Sequence, residues 1–239
     1  MTTYLKAWKA AQDSDLNWLN RVFTPLSYQD RIQKLYHFFG EEEVMVTSSF
    51  GTSSVFLLHV LSQERPTQKI HFIDTGYHFP ETLAYKQELT DLLNLQVVSI
   101  HPDAGEHNFT QSEALWKSDT NRCCQINKVN PLEGVKAQHK VWVSGLMSHQ
   151  TEFRAGLQVF ERQGRLLKFH PFIDVDEGEL LYQLGIHQLP AHPLEAQGFG
   201  SIGCSHCTVQ GQGREGRWKD SEKTECGLHP DYFTKRLIA

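Results

Sequence analysis

The sequence predicts an α/β fold built on a parallel, doubly wound sheet. The first observation behind this prediction is the order of elements, because short β-branched segments alternate with helical segments along the middle of the chain. The second is the placement of small polar residues, which follow directly after several of those strands. Ligands bind at the carboxyl ends of the strands in such sheets, so we expect function at that edge.

The composition is that of a globular protein with ample material for a core. The chain has 239 residues, of which 39% are hydrophobic and 21% are charged. A net charge of −5 argues against a general binder of nucleic acid or of anionic membranes. The N-terminus shows no signal-peptide pattern, and no apolar run approaches the ~18 residues of a membrane span. We therefore expect a cytoplasmic protein.

Residues 1–42 predict two helices that serve packing. Pro25 interrupts the first apolar face, Ser27 can cap the next helix, and Gly40 stops it. Strands and helices then alternate through residues 43–158, which we interpret as a nucleotide-binding core. The strands are expected at 44–48, 69–74, 95–100 and 141–145, and the helices from 55, at 81–94 and at about 124–138.

The pattern changes after residue 158. Two short apolar runs at 159–162 and 166–169 flank Gly164 and predict a hairpin, and 176–184 predicts a short helix. The remainder is rich in Gly, Pro and His and shows no core of its own. We therefore expect one domain, 1–239, with a C-terminal lobe and tail at 159–239.

A serine-rich loop follows the first strand and opens the next helix. Glycine lets the backbone approach a ligand, and free N–H groups with the helix dipole favour an anion. The Gly-Lys-Ser/Thr sequence of a Walker A loop is absent, and an ordinary strand-to-helix turn has a similar composition. The candidate residues are Ser48, Ser49, Phe50, Gly51, Thr52 and Ser53.

Asp74, Thr75 and Gly76 end the second strand. They could hydrogen-bond a ribose or a base edge, and a plain turn into the next helix explains them equally well.

Four of the five cysteines form two close pairs, Cys123-Cys124 and Cys204-x-x-Cys207. In a reducing compartment, four such sulfurs suit zinc or a 4Fe–4S cluster better than disulfides. Adjacent ligands are awkward for tetrahedral zinc, which favours the cluster. Such a metal centre would join the C-terminal lobe to the sheet.

Cys226 is left over, near the C-terminus. A lone thiol on a chain end, where mobility is common, is a candidate nucleophile, and an inert exposed cysteine is the alternative. His229 could activate this thiol or bind a phosphate.

Cations near these motifs complete the candidate site. Arg154, Arg214 and Arg217 could clamp an anion, and Lys128 lies one helical turn beyond Cys124. Each of the four is, taken singly, also compatible with an ordinary surface position.

With these motifs placed, the sequence resembles the adenylylsulfate and phosphoadenylylsulfate reductases of assimilatory sulfate reduction, over about residues 44–230. The resemblance rests on six segments in order: Ser48-Ser49-Phe50-Gly51, the segment 74–82, Asn121-Arg122-Cys123-Cys124 with Lys128 and Pro131-Leu132, the segment 201–207, Gly216-Arg217-Trp218, and Lys223-Thr224-Glu225-Cys226-Gly227-Leu228-His229.

The resemblance implies an adenine nucleotide α-hydrolase-like fold and a reaction at Cys226. Cys226 would attack the sulfur of the sulfonucleotide and form an S-sulfocysteine, from which thioredoxin or glutaredoxin releases sulfite. The serine-rich loop and residues 74–76 would surround the nucleotide, and the arginines would bind phosphate and sulfate. The four paired cysteines would hold one 4Fe–4S cluster that orders the site without transferring electrons.

The cysteine pairs favour adenylylsulfate, because the cluster-bearing branch of the family mostly uses it. Phosphoadenylylsulfate, or both nucleotides, is the alternative, since the Ser-Phe-Gly loop is shared with the other branch. Met147-Ser148 stand where the family usually has two arginines. More distant alternatives are an ATP pyrophosphatase that adenylates its substrate and a non-enzymatic nucleotide-binding protein with structural zinc. The oligomeric state stays open.

Overall fold

A six-stranded sheet forms the centre of the computed structural model, which describes residues 14–219, 223 and 225–228. Its order is β3-β2-β1-β4-β6-β5, and every pairing is parallel except that of β5 with β6. The strands are β1 (Val44–Thr47), β2 (Lys69–Ile73), β3 (Gln96–Ile100), β4 (Val141–Val143), β5 (Phe160–Gln163) and β6 (Leu166–Phe169).

The helices described flank this sheet or lie in its connections. They are α1 (Ser14–Phe23), α2 (Tyr28–Phe38), α3 (Ser54–Glu64), α4 (Pro80–Leu92), α5 (Ala104–Ser112), α6 (Leu115–Ser118), α7 (Thr120–Cys124), α8 (Asn130–Lys136), α9 (Glu152–Ala155) and α10 (Glu177–Ile186).

Several helices begin at the residue types that favour a start. The Ser27 hydroxyl accepts from the backbone N–H of Asp30, as predicted, and the Asp176 carboxylate caps α10 in the same way. Pro80 begins α4, where its missing N–H costs nothing. None of the helices described combines the length and the apolar character needed to cross a membrane.

The predicted hairpin at 160–169 extends the main sheet. Its second strand, β6, pairs in parallel with β4, so that Val141 lies opposite Leu167 and Val143 opposite Phe169. Helix α1 covers this end of the sheet, where the Phe23 ring packs edge-on against Phe160 at 4.9 Å. The sheet thus continues beyond residue 158. The division of the single domain into residues 1–42, 43–158 and 159–239 remains a prediction.

The chain around the first cysteine pair differs from the continuous helix expected at 124–138. Helix α7 begins earlier, at Thr120, and a π-helical turn over Gln125–Val129 separates it from α8. A π turn shifts the faces of the helix and is often found at functional sites. Here it carries Lys128.

Residues 199–219 return to the carboxyl edge of the sheet. His78 forms an isolated antiparallel bridge with Cys204, and the Ser205 N–H donates to the Tyr77 carbonyl at 2.7 Å. The second cysteine pair is therefore held against the loop that follows β2.

Candidate active site

A cavity of about 560 Å³ opens at the carboxyl edge of the sheet. Its volume lies within the range of small-molecule sites. The serine-rich turn after β1, residues 144–146 after β4 and segment 200–204 line it. Cys226 and Leu228 from the tail line it as well.

The serine-rich turn is held by its own side chains. The hydroxyls of Ser48 and Ser54 accept from the backbone N–H groups of Phe50 and Gly51, at 3.1 and 3.0 Å. Phe50 has a left-handed φ of 50°, and its buried ring packs on Phe72 at 5.6 Å. Phe50 therefore anchors the turn from below and does not line the cavity.

The remaining residues expected in this turn line the cavity. Ser48, Ser49, Gly51, Thr52 and Ser53 all contribute to its wall. This places hydroxyl groups along one side of the cavity, at the N-terminus of α3.

The structure places Asp74, Thr75 and Gly76 beside the cysteines and outside the cavity wall. Asp74 accepts from the Gly76 N–H at 3.1 Å, and the buried Thr75 hydroxyl lies 3.4 Å from the Cys204 sulfur. Gly76 has a φ of 71°, and its Cα is packed against the His107 ring. These contacts give the three residues a role in forming the turn and supporting Cys204.

The two cysteine pairs come together, although about 80 residues separate them in sequence. Burial, followed by the neighbouring thiolates of Cys124, Cys204 and Cys207, raises the pKa of Cys123 to about 12. Burial and the Cys204 thiolate likewise raise the pKa of Cys207 to about 11. All four sulfurs therefore lie within electrostatic reach of one another, and all four are free of disulfides.

Polar groups and aromatic rings surround these sulfurs. The buried Asn127 amide donates to the Cys123 carbonyl at 3.0 Å and lies 3.6 Å from its sulfur. Trp116 stacks on His206 at 4.1 Å, and Tyr77 packs against both rings. This shell excludes water from one side of the cysteines.

The cysteine group supplies four sulfurs, and cysteine thiolates are the ligands of 4Fe–4S clusters. Within the described part of the chain, no three His, Cys, Asp or Glu side chains are arranged to hold one metal ion. A 4Fe–4S cluster needs wider spacing between its sulfurs, because four irons lie between them. Four neighbouring cysteine sulfurs, three of them buried and that of Cys207 half-buried, beside cationic residues are a suitable donor set for it.

Lys128 connects the cysteines to the cavity. Burial lowers the pKa of Lys128, but the thiolates of Cys204, Cys124 and Cys226 raise it by more, so the net shift is upward. Burial raises the pKa of Cys204, but Lys128, Thr75 and Arg217 together lower it below the ordinary value. The ammonium group thus lies within electrostatic reach of both the cysteine group and the thiol of Cys226.

Arg217 also lines the cavity and is oriented by contacts with its neighbours. Its Nη1 donates to the Ile202 carbonyl at 3.1 Å and lies 3.4 Å from the Ser201 hydroxyl. Its guanidinium group stacks over Trp218, 4.4 Å from the ring centroid. Burial lowers the pKa of Arg217, and the thiolates of Cys204 and Cys226 oppose this shift.

Arg154 and Arg214 both contact a carboxylate from the tail. Nε and Nη2 of Arg154 donate to the two oxygens of Glu225 at 2.8 and 2.9 Å, and Nη2 of Arg214 lies 3.3 Å from it. Burial, followed by the charge of Arg154, lowers the pKa of Arg214 to about 10. The tail segment is thereby held at the edge of the cavity.

Cys226 follows Glu225 directly and lines the cavity with a half-buried side chain. His229, predicted to assist this thiol, lies outside the described residues.

The sequence did not reveal the contributions of Lys168 and Glu225. Lys168 lies in the wholly buried strand β6, 4.3 Å from the centroid of Trp142, and its Nζ donates to the Leu228 carbonyl at 2.8 Å. A lysine inside an apolar strand was the available signal. For Glu225 the signal was its position next to the lone cysteine.

Comparison with known proteins identifies the family. The sequence model of one protein family, the phosphoadenosine phosphosulfate reductase domain, matches residues 43–210. The chain belongs to this family. This confirms the predicted resemblance and the enzyme class, an oxidoreductase acting on a sulfur group.

Curated relatives cover most of the chain. The adenosine 5′-phosphosulfate reductase of Salinibacter ruber (strain DSM 13855 / M31) is 33% identical over 220 residues, which are 88% of this chain and 87% of that protein. The protein of the same name from Bacillus mycoides (strain KBAB4) is 36% identical over 198 residues, 79% of this chain and 85% of its own length.

Solved structures confirm the predicted fold class. The phosphoadenylyl-sulfate reductase of Candida auris, a phosphate complex, has a TM-score of 0.72 at 22% identity and covers 84% of this chain and 98% of that one. The NH3-dependent NAD synthetase of Campylobacter jejuni has a TM-score of 0.50 at 14% identity and covers 75% of each chain. The fold is therefore of the adenine nucleotide α-hydrolase-like type.

Proposed function

We propose that the chain reduces adenylylsulfate to sulfite and AMP through an S-sulfocysteine at Cys226, with thioredoxin or glutaredoxin as electron donor. The observation that carries this proposal is the position of Cys226. Its thiol lies in the same cavity as the serine-rich turn and several cations, among them Lys128 and Arg217. A nucleophile, hydroxyl donors and positive charge are what transfer of a sulfonate group from a nucleotide requires.

The first step transfers the sulfonate group to the protein. The Cys226 sulfur attacks the sulfate sulfur, a sulfur–sulfur bond forms, and the bond from that sulfur to the bridging oxygen breaks. AMP leaves with the electron pair of the broken bond, and the thiol proton passes to solvent. Lys128, Arg214 and Arg217 support this step because they can neutralise the charge that develops on the departing phosphate.

The second step releases sulfite. A thiolate of thioredoxin attacks the Cys226 sulfur, and sulfite leaves with the electron pair of the sulfur–sulfur bond. The second thioredoxin thiol resolves the mixed disulfide and restores the Cys226 thiol. The two electrons that reduce the sulfur come from the thioredoxin dithiol. Dependence on this donor, and the five free cysteines, are consistent with a reducing compartment such as the cytoplasm.

Cys123, Cys124, Cys204 and Cys207 are the residues that would hold a 4Fe–4S cluster. Such a cluster would fix the C-terminal segment against the loop after β2. Replacing Cys204 by Ser should therefore remove the visible absorbance of anaerobically purified protein and lower its melting temperature. An unchanged spectrum would contradict the cluster assignment.

The proposal is tested by sulfite release from adenylylsulfate and from phosphoadenylylsulfate, measured in parallel with thioredoxin. We expect a strong preference for adenylylsulfate, and no sulfite from Cys226→Ser with either substrate. Preference for phosphoadenylylsulfate would preserve the mechanism and overturn the substrate. Absence of sulfite from both would contradict the proposal, and pyrophosphate release from ATP would then be the assay for the alternative activity.

A further inference from the structure

A buried ion pair between Arg154 and Glu225 connects the tail to the rest of the chain. The Arg154 side chain is 8% exposed and that of Glu225 is 2% exposed. Both carboxylate oxygens accept from Arg154, and the Thr151 hydroxyl donates to one of them at 3.0 Å. A bidentate pair at this depth is strong and strongly oriented.

Arg154 has its guanidinium nitrogens engaged within the protein. Nε and Nη2 donate to Glu225, and Nη1 donates to the side-chain oxygen of Gln150. Binding a substrate anion with Arg154 would require this arrangement to open. The ion pair with Glu225 therefore engages Arg154, whereas the ion pairs described for Glu225 involve neither Lys128 nor Arg217.

A second contact holds the tail on the other side of the thiol. Lys168 Nζ donates to the Leu228 carbonyl, two residues after Cys226, whereas Glu225 is the residue immediately before it. Two buried side chains from different elements, α9 and β6, thus fix the backbone on both sides of Cys226. A thiol fixed at two points has a defined direction of approach, which a free chain end does not have.

We propose that Arg154 is a positioning residue for Cys226, which acts through Glu225, and that substrate anions are bound by the other cations. The expected effect on catalysis rests on the proposed function. The expected docking of the tail rests on the ion pair alone. It changes the role expected for Arg154, from contact with phosphate or sulfate to orientation of the nucleophile.

The first readout is the reactivity of Cys226 in substrate-free protein. Iodoacetamide labelling with peptide mapping measures the accessibility of each cysteine separately. Glu225→Gln should raise the labelling rate of Cys226 about tenfold, because the tail spends more time undocked. Arg154→Lys, which keeps the charge but loses the bidentate geometry, should do the same. The exposed Glu152→Gln is the matched control and should leave the rate unchanged.

The second readout is kinetic and separates positioning from binding. With adenylylsulfate in excess, formation of the modified Cys226 in a single turnover should slow about 30-fold in Glu225→Gln and in Arg154→Lys, since losing one partner of a buried pair has effects of this order. The Kd for AMP should not change. In the double variant the rate should fall no further than in either single variant.

Three outcomes would overturn the proposal. One is unchanged labelling of Cys226 in both single variants. Another is a loss of AMP affinity in Arg154→Lys with none in Glu225→Gln, which would return Arg154 to the substrate. The third is additive losses in the double variant. If the wild type releases no sulfite, the proposed function fails, and the labelling experiment still decides whether the ion pair holds the tail.

Discussion

The packing of Gly203 against Arg217 leads to a prediction that separates substrate binding from stability. A Cβ at position 203 would lie 2.2 Å from Nη2 and 2.5 Å from Cζ of Arg217. Carbon atoms in contact are normally about 3.5 Å from their neighbours, so the guanidinium group would have to withdraw by roughly 1.3 Å. The φ of Gly203 is not in the left-handed region, so the backbone itself accepts alanine.

Gly203→Ala should weaken substrate binding more than it lowers the stability of the fold. Only the end of a flexible side chain has to move, so Gly203→Ala should lower the free energy of unfolding by about 1 kcal/mol, the value of the hydrogen bond to Ile202. A charge-assisted contact to a phosphate or sulfate contributes about 1.5–3 kcal/mol. Its loss should raise the Kd for adenylylsulfate roughly 10- to 150-fold.

Calorimetry in the Cys226→Ser background measures this Kd without turnover. Gly134→Ala is the matched control, because a Cβ there meets nothing within 4 Å. Gly203→Ala should cause no further loss when it is added to Arg217→Met, since both changes remove the same contact. Wild-type affinity in Gly203→Ala with an unchanged visible spectrum would refute the assignment of Arg217 to the substrate.

Three further predictions concern stability. His192 is buried, its Nδ1 accepts from the backbone N–H of Leu194, and burial lowers its pKa from 6.5 to about 4. Between pH 6.5 and 4 the unfolded chain binds more protons than the folded protein, so the free energy of unfolding falls as the pH falls. In chemical denaturation at pH 7 and at pH 5, His192→Gln should therefore lose about 1–2 kcal/mol less of this free energy than the wild type. An equal loss in variant and wild type would contradict this. Gly76→Ala should cost about 1–3 kcal/mol, because φ is 71° and the Cβ would lie 2.7 Å from the His107 ring; an unchanged melting temperature would show that the turn rearranges freely. Arg31→Met should lower the free energy of unfolding in urea by about 3 kcal/mol, because the Arg31 side chain is 1% exposed and its guanidinium group binds the Asp174 carboxylate and three backbone carbonyls. A decrease below about 1 kcal/mol would mean that apolar packing of the methionine replaces these bonds.

Much of the fold could be predicted because its signals are local. The strand β1 and the helix α3 are each defined by a continuous stretch of β-branched or apolar residues with a polar turn between them. The hairpin was equally visible, but its parallel pairing with β4 joins segments about 25 residues apart. Such pairing depends on how the whole sheet packs, which no local pattern specifies.

The residues of the site could be recognised from their type and spacing, but most of their contacts could not be predicted. Cysteines, serines and arginines near strand ends were recognisable from their spacing. The partner of Arg154 was not, because Glu225 lies 71 residues later in the chain. For Thr75 the strand end was correctly located, but only the folded structure shows its hydroxyl beside the Cys204 sulfur.

The most direct test of the central claim is to identify the covalent intermediate. Anaerobically purified protein would be mixed with adenylylsulfate without thioredoxin, digested and mapped by mass spectrometry. We expect one added SO3 group on the peptide that contains Cys226, with one equivalent of AMP released per modified chain and loss of the group when thioredoxin is added. AMP release without modification of Cys226, or modification of a different cysteine, would contradict the account.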